Sequence, residues 1–105
     1  MLRKLQQEQK EWSNYNFSNR TNYQPLLGIV EEVGELAHAH LKFEQNVRIN
    51  EDHLAKKKDA IGDIVIFLSD YCTMNNIDFQ EAVELTWNDV KTRDWIKYPK
   101  NGKIE

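Results

Sequence analysis

Apolar residues recur at intervals of three and four in four separate segments of this chain, the period of an amphipathic α-helix. The first segment covers about residues 2–15 and is only weakly amphipathic. The second should begin at Pro25, because proline suits the first turn of a helix, and should end near Phe43. Its buried stripe is expected to comprise Leu26, Ile29, Val30, Val33 and Ala37.

Two further helices are predicted in the second half of the chain. Asn50 is the expected N-cap of the third helix. The apolar residues of that helix are Leu54, Ile61, Ile64, Val65, Leu68 and Cys72. Asp78 and Glu81 form a capping-box pattern before the fourth helix. The expected buried stripe of the fourth helix is Phe79, Ala82, Val83, Thr86 and Val90.

The segments between these helices are short. Residues 13–23 are rich in Ser and Asn, which favour turns, and residues 44–50 should form the next connection. The sequence TMNNI (73–77) should end the third helix, and the tail after Trp95 is expected to be extended and mobile. Four helices around one core predict an all-α, four-helix bundle-like fold.

Composition agrees with a single helical domain covering residues 1–105. Hydrophobic residues make up 40% and charged residues 30% of the chain, as in soluble globular proteins. Four Gly and two Pro are few for a protein built from many turns, which favours helices over a sheet. A net charge of −3 gives no reason to expect a nucleic acid polymer as a partner.

Cys72 is the only cysteine, so an intrachain disulfide is excluded and a reducing, cytoplasmic setting is expected. Its place on the apolar face of the third helix predicts a buried thiol without chemistry. The polar start of the chain does not resemble a signal peptide, and no apolar run approaches the length needed to cross a bilayer. We therefore expect no membrane partner.

The second helix carries an acidic stripe whose neighbours are small. Glu32 and Glu35 share one side of the helix with Gly28 and Ala39. Solvated acidic surfaces usually interleave Lys or Arg four residues away, whereas small neighbours leave room for a ligand. Both interpretations, a solvated surface and a ligand site, are open from this helix alone.

The third helix carries a second acidic stripe in an apolar setting. Asp59, Asp63 and Asp70 fall within a narrow arc, and residues 61–72 are apolar almost all round. Such a helix is buried on more than one side, and buried carboxylates need partners or metals. One explanation is that the helix is buried in a subunit interface, across which Asp63 accepts a hydrogen bond. Another is a set of salt bridges to Lys56, Lys57 or Lys58.

A third explanation brings the two acidic stripes face to face. Glu32, Glu35 and Asp63, with Asp59 as a further candidate, would then form a site made entirely of oxygen ligands. Hard divalent cations, Mg²⁺ above all, prefer such ligands and commonly bind substrate phosphates as well. Because the site needs no His or Cys, structural zinc is disfavoured.

The two acidic motifs resemble those of the MazG-like nucleoside triphosphate pyrophosphohydrolases, an all-α family that includes the dimeric dUTPases. The motifs are E-E-V-G-E (31–35) and D-A-I-G-D (59–63), and the resemblance extends over about residues 5–95. The family signature is E-x-x-E followed by E-x-x-D. Glu32, Glu35 and Asp63 match it, but Ala60 stands where the family has an acid. Asp59, one turn before Asp63, can substitute for that acid, as can water.

The resemblance implies hydrolysis of a nucleoside or deoxynucleoside triphosphate to the monophosphate and pyrophosphate. It also suggests a role in removing noncanonical nucleotides. It implies Mg²⁺ as the cofactor, with Mn²⁺ as an alternative, bound by the four acids. Glu31 would activate the attacking water or hold a second metal. Lys56, Lys91 and Arg93 would bind the phosphates.

The resemblance also suggests roles for aromatic residues and for assembly. Core packing is the expected role of Trp12 and Phe17, and stacking on the nucleobase is the alternative that the resemblance implies for both. His38 is expected near Glu31 and Glu35, and His40 is expected on the apolar side as a packed core or interface histidine. A homodimer or a dimer of dimers is expected, because four short helices bury little area alone.

Ala60 keeps a second function open, that of a catalytically impaired helical oligomer that binds a nucleotide or a protein. The base and sugar preferences, the number of metals and the physiological role are not encoded in any motif that we identify.

Overall fold

The computed structural model describes residues 1–104, in which four α-helices form and no strand occurs. They are α1 (Leu2–Asn16), α2 (Gln24–Glu44), α3 (His53–Met74) and α4 (Phe79–Val90). The all-α, four-helix prediction is therefore confirmed. None of the helices in these residues is long and apolar enough to cross a membrane.

The helices α2 and α3 form the main pair of the fold. The helix α1 packs on α3, and α4 contacts both α1 and α3 near the end of α3. Within residues 1–104, α2 and α4 do not pack against each other. In this part of the chain α3 is the one helix that packs against α2, so the opposite face of α2 has no helix against it.

The caps of α3 and α4 are both aspartates. Asp52, not Asn50, caps α3, and its side chain accepts a hydrogen bond from the Ala55 amide at 2.9 Å. The Asn50 prediction was wrong because residues 49–50 lie in a turn that precedes the cap. Asp78 caps α4 as predicted and accepts from the Glu81 amide at 3.0 Å. That hydrogen bond is the largest contribution that lowers the pKa of Asp78, followed by Arg3.

The predicted loop at residues 13–23 was wrong in its first four positions, which belong to α1. The polar side chains there bond within the helix instead of competing with it. The Asn16 side chain donates to the Trp12 carbonyl at 2.9 Å, and Ser13 accepts from Gln9 one turn earlier. These contacts remove the penalty that Ser and Asn usually bring to a helix.

The tail after Trp95 is folded into turns in residues 96–104, so the prediction of an extended tail was also wrong. Its last residue, Glu105, lies outside the described residues. The Asp94 amide donates to the Gly102 carbonyl at 2.8 Å, and the Gly102 amide donates to the Tyr98 carbonyl at 2.8 Å. The Asp94 carboxylate accepts from the Lys97 amide at 2.9 Å. Gly102 has a φ of 78°, which a residue without a Cβ adopts readily.

The predicted buried stripe of α2 lies mostly on the outside of the single chain. Val30 is 65% exposed, and Leu26, Val33 and Ala37 are also exposed. The face that packs on α3 is the one with small residues: an ideal Cβ at Gly28 would lie 2.6 Å from the Phe67 ring, and Ala39 is buried. Small residues let the two helices approach closely, so the branched residues are left facing away.

The predicted stripe of α4 was also wrong for a single chain. Of its five members only Phe79 is buried within residues 1–104. The other four are exposed, namely Ala82, Val83, Thr86 and Val90. The reason is geometric, because α4 contacts α1 through Phe79 and Gln80 at its N-terminal end, and residues 81–90 beyond them are exposed.

Candidate functional site

The acidic face of α2 lies against α3 and contains an unusual carboxylate, that of Glu32. One of its oxygens, Oε2, is buried and has no hydrogen-bond partner among residues 1–104. Burial is the largest cause that raises the pKa of Glu32 above its ordinary value, followed by the negative charges of Glu35 and Asp63. A side-chain hydrogen bond with Glu35 and the charge of Glu31 raise this pKa further. The two acidic stripes are therefore close enough in space to repel each other, as the face-to-face prediction required.

The four predicted metal ligands, Glu32, Glu35, Asp59 and Asp63, do not form a closed ligand set. No group of three or more His, Cys, Asp or Glu side chains within residues 1–104 is arranged to hold a metal ion. Binding a cation between Glu32, Glu35 and Asp63 would therefore require changes of side-chain rotamer. Such changes are available to an exposed residue such as Glu35.

A cleft of about 610 Å³ lies along the outer side of the acidic stripe, and we call it the acidic cleft. It is lined by Glu31, Gly34, Glu35, His38, Ala39, Lys56 and Asp59. Asp59 therefore lies beside Glu31 and Glu35. His38 lies near the same two acids, as predicted.

Lys56 is the basic residue in the acidic cleft, and it already has a partner. Its ammonium lies 3.1 Å from a carboxylate oxygen of Glu51, and this hydrogen bond is the largest contribution that lowers the pKa of Glu51. The Lys56 side chain is still half exposed. It can therefore exchange Glu51 for another anion in the cleft.

A second cavity of about 600 Å³ lies between α1, the following loop and α3, and we call it the aromatic cavity. Its apolar walls are Trp12, Phe17, Pro25, Ile66 and Phe67. Its polar lining is Gln9, Ser13, Arg20, Gln24, Asp63 and Asp70. The charge of Asp63 also raises the pKa of Glu32. The aromatic cavity therefore borders the group Glu31, Glu32, Glu35 and Asp63, which we call the acidic cluster.

Trp12 and Phe17 line this cavity instead of packing in the core. Their rings meet edge to face with centroids 5.7 Å apart, and their exposed fractions are 56% and 57%. The prediction that both pack in the core was therefore wrong for the described residues of one chain. The pair is positioned to receive a flat ring, since aromatic groups favour offset or edge-to-face contact.

Asp70 is paired with Arg20, a residue that the sequence did not indicate. The guanidinium contacts both carboxylate oxygens, with Nη2 to Oδ1 at 2.8 Å and Nε to Oδ2 at 3.0 Å. Both side chains are only 8% exposed. The salt-bridge explanation was therefore right in kind for Asp70 but wrong in partner, because Lys56, Lys57 and Lys58 lie at the other end of α3.

The two basic residues at the end of α4 lie apart from both cavities. Arg93 Nη2 pairs with Asp89 Oδ2 at 2.9 Å, and its guanidinium lies 6.0 Å from the centre of the Trp95 ring. Lys91 is exposed. Within the described residues of one chain, neither Lys91 nor Arg93 lines the acidic cleft or the aromatic cavity.

The remaining expectations concern a histidine, a cysteine and the space beside the acids. His40 is exposed and contacts Glu44 at 2.9 Å, so it is not a core residue. Cys72 is buried as predicted, and burial raises the pKa of its thiol. The space beside Gly28, which was expected to admit a ligand, is filled by Phe67.

Comparison with known proteins found no family model, curated protein or solved structure that matches this chain.

Proposed function

We propose that this protein is a Mg²⁺-dependent nucleoside triphosphate pyrophosphohydrolase of the MazG-like type, which produces the monophosphate and pyrophosphate. The observation that carries the proposal is the Glu32 carboxylate. It has a buried oxygen without a partner in residues 1–104, a raised pKa and three acidic neighbours. A buried, unpaired carboxylate beside other acids does not stabilise the fold, but the same carboxylates together would stabilise a bound cation.

The chemistry of these donors fits Mg²⁺, with Mn²⁺ as an alternative metal. Glu32, Glu35 and Asp63 would hold the ion, and Asp59 in the acidic cleft would supply a further oxygen or bind through water. A bound Mg²⁺ neutralises phosphate charge and lowers the pKa of a coordinated water.

The residues of the acidic cleft would perform the rest of the reaction. Glu31 would orient the attacking water towards the α-phosphorus and take up its proton. Lys56 would leave Glu51 and stabilise the charge that develops on the leaving pyrophosphate.

The aromatic cavity would hold the nucleobase. Its volume, its aromatic pair Trp12 and Phe17 and its border at Asp63 suit a ring whose phosphates extend towards the acidic cluster. Stacking of a base on an aromatic side chain contributes about 1–3 kcal/mol. This arrangement supports a nucleotide over inorganic or lipid phosphates as the substrate.

We also propose that the protein works as a homodimer or a dimer of dimers. The exposed apolar residues of α2 that face away from α3 would pack against a second copy; they are Leu26, Val30, Val33, Ala37 and Leu41. A second copy would also explain the position of the basic residues, since Lys91 and Arg93 of the partner subunit can complete a phosphate site that they do not reach in their own chain.

Ala60 supports a second candidate function, that of a binding protein with impaired hydrolysis. It is only 2% exposed, so the position of the family's acid is enclosed in this chain. Asp59 lies instead in the acidic cleft, with a different approach to any ion. This candidate predicts nucleotide binding without turnover.

The test is incubation with a panel of nucleoside and deoxynucleoside triphosphates in Mg²⁺ or Mn²⁺, with monophosphate and pyrophosphate both measured. We expect Glu35→Gln to lower turnover by at least roughly a hundredfold. Changing a residue that only supports a metal ligand already lowers metal affinity or activity by about 10- to 100-fold, and Glu35 would bind the metal directly. Glu44→Gln, an exposed acid of the same helix, is the matched control and should retain activity. If no nucleotide is hydrolysed faster by the unmodified protein than by Glu35→Gln, the proposal fails.

A further inference from the structure

Three polar side chains are buried together between α1 and α3, beside the aromatic cavity. The exposed fractions are 7% for Gln9, 3% for Ser13 and 0% for Ser69. Ser and Gln are mostly exposed in folded proteins, so three of them buried together require an explanation. Gln9 and Ser13 line the cavity, whereas Ser69 lies behind Gln9 and, among the described residues, is not part of the lining.

The three side chains form a hydrogen-bonded chain centred on the Gln9 amide. Ser69 Oγ–H donates to Gln9 Oε1 at 3.4 Å, and Gln9 Nε2–H donates to Ser13 Oγ. A primary amide offers two acceptor positions and two donor positions. Within residues 1–104 each serine uses one of them. One acceptor and one donor position of Gln9, a residue of the cavity lining, therefore have no partner among residues 1–104.

The hydrogen bonds that Gln9 makes with Ser13 and Ser69 are compatible with either orientation of the Gln9 amide. A hydroxyl can donate or accept, so a half-turn of the amide only reverses the roles of Ser13 and Ser69. In one orientation Ser69 donates and Ser13 accepts, and in the other Ser13 donates and Ser69 accepts. Gln9 can therefore present its donor and its acceptor to the cavity in either order without losing its own partners.

We propose that Gln9 reads the hydrogen-bonding edge of the nucleobase, and that Ser13 and Ser69 allow it to read amino and oxo bases alike. The inference rests on the proposed nucleotide substrate. Along its hydrogen-bonding edge cytosine presents a donor and then an acceptor, whereas uracil presents an acceptor and then a donor. Adenine and hypoxanthine differ from each other in the same way. An amide fixed in one orientation would leave buried groups unpaired against one member of each pair, which is the strongest basis of substrate rejection.

The two serines provide a test with a distinctive signature. In Ser69→Ala the reversed amide would place an N–H against a methyl group, whereas the present orientation would leave only a carbonyl lone pair unused. A buried unpaired N–H is the less tolerated of the two. Ser69→Ala should therefore favour the present orientation, and Ser13→Ala should favour the reversed one.

The experiment measures kcat/KM for dCTP against dUTP, and for dATP against dITP, with Mg²⁺. We expect the unmodified protein to accept both members of a pair within about tenfold, and the two alanine variants to shift the ratio in opposite directions by roughly threefold or more each. Ser18→Ala, an exposed serine of the loop after α1, should leave the ratio unchanged. Because each ratio comes from one preparation, partial misfolding lowers both values and cancels.

The same variants are titrated calorimetrically with α,β-methylene analogues of these nucleotides, so that base preference is read without hydrolysis. Opposite shifts of the two variants support the inference, even if turnover is absent and the proposed function fails. Shifts in the same direction, or no shift, would show a structural bridge between α1 and α3 and overturn it. A wild-type preference above roughly a hundredfold within both pairs, or no binding of any analogue, also overturns it.

Discussion

At the scale of single residues, Glu32 is held in a position where its own charge is unfavourable. Burial of its oxygen and the nearby charges of Glu35 and Asp63 all favour the protonated form. The nearest cation of the acidic cleft, Lys56, is paired with Glu51. We interpret the uncompensated charge as a cost in stability that a bound cation would remove.

The pH dependence of stability tests this interpretation. Because the pKa of Glu32 is raised on folding, its contribution to stability is greatest below the ordinary glutamate pKa and is lost as the pH rises through the raised value. We expect Glu32→Gln to have the same melting temperature as wild type under acidic conditions and a melting temperature a few degrees higher at neutral pH.

Divalent ions supply the second measurement on the same variant. Mg²⁺ should raise the melting temperature of the unmodified protein at neutral pH and should have little effect on Glu32→Gln. Glu8→Gln, an exposed acid on α1, is the control for general charge effects. A difference between Glu32→Gln and wild type that stays constant across the pH range would contradict the assignment.

Sequence reasoning at this scale identified groups that follow a periodic pattern and missed those that do not. The spacing of Glu32, Glu35 and Asp63 on two helices indicated that they converge. Arg20 lies 50 positions from Asp70, in an Asn-rich loop without periodicity, so no local signal connects the two. Burial of Gln9 is likewise decided by the position of α1 on α3, which one helix alone does not specify.

At the scale of secondary structure, the contact between α2 and α3 depends on a glycine. The Phe67 ring occupies the space that a side chain at position 28 would need. The periodicity of α2 correctly predicted a helix, but two faces compete for burial. The branched face has more apolar area, and the face with small residues allows closer approach of the helices. In a single chain the face with small residues is the buried one. A count of apolar residues does not predict this, because it favours the face with the larger side chains.

Substitution of two of the three helical glycines, Gly28 and Gly62, should therefore have opposite effects. Gly28→Ala would place a Cβ 2.6 Å from the Phe67 ring, and we expect a loss of about 1–3 kcal/mol in the free energy of unfolding. Gly62→Ala meets no atom within 4 Å in residues 1–104, so it should stabilise α3 by about 0.5–1 kcal/mol. Chemical denaturation measures both, and equal effects at the two positions would refute the close-contact explanation.

At the scale of the whole molecule, the chain is more open than a compact domain of its length. Its radius of gyration is 17.5 Å, whereas about 13 Å is typical for 100 residues. Large apolar side chains are exposed on α2, on α4 and in the tail, among them Val30, Leu85 and Trp95. Soluble monomers rarely leave that much apolar surface in water, so the shape supports the proposed assembly.

Self-association can be tested at the centre of the exposed stripe of α2. We expect the unmodified protein to sediment as a dimer or a tetramer and Val30→Glu to dissociate towards the monomer, because the partner would have to bury an unpaired carboxylate. Asn14→Glu adds the same charge at an exposed polar position of α1 and should leave the mass unchanged. An unmodified protein that remains monomeric at high micromolar concentration would exclude this assembly.

The position of Asp63 has a consequence for how the two halves of a ligand would bind. Its carboxylate lines the aromatic cavity, and its negative charge also raises the pKa of Glu32 in the acidic cluster. A cation that neutralises Asp63 changes the surface offered to the ring, and a ring packed beside Asp63 excludes water from the cation. Thermodynamic linkage makes this effect reciprocal, so the factor by which the cation strengthens nucleotide binding equals the factor by which the nucleotide strengthens cation binding. Each would be a weak ligand alone, and the pair would bind cooperatively.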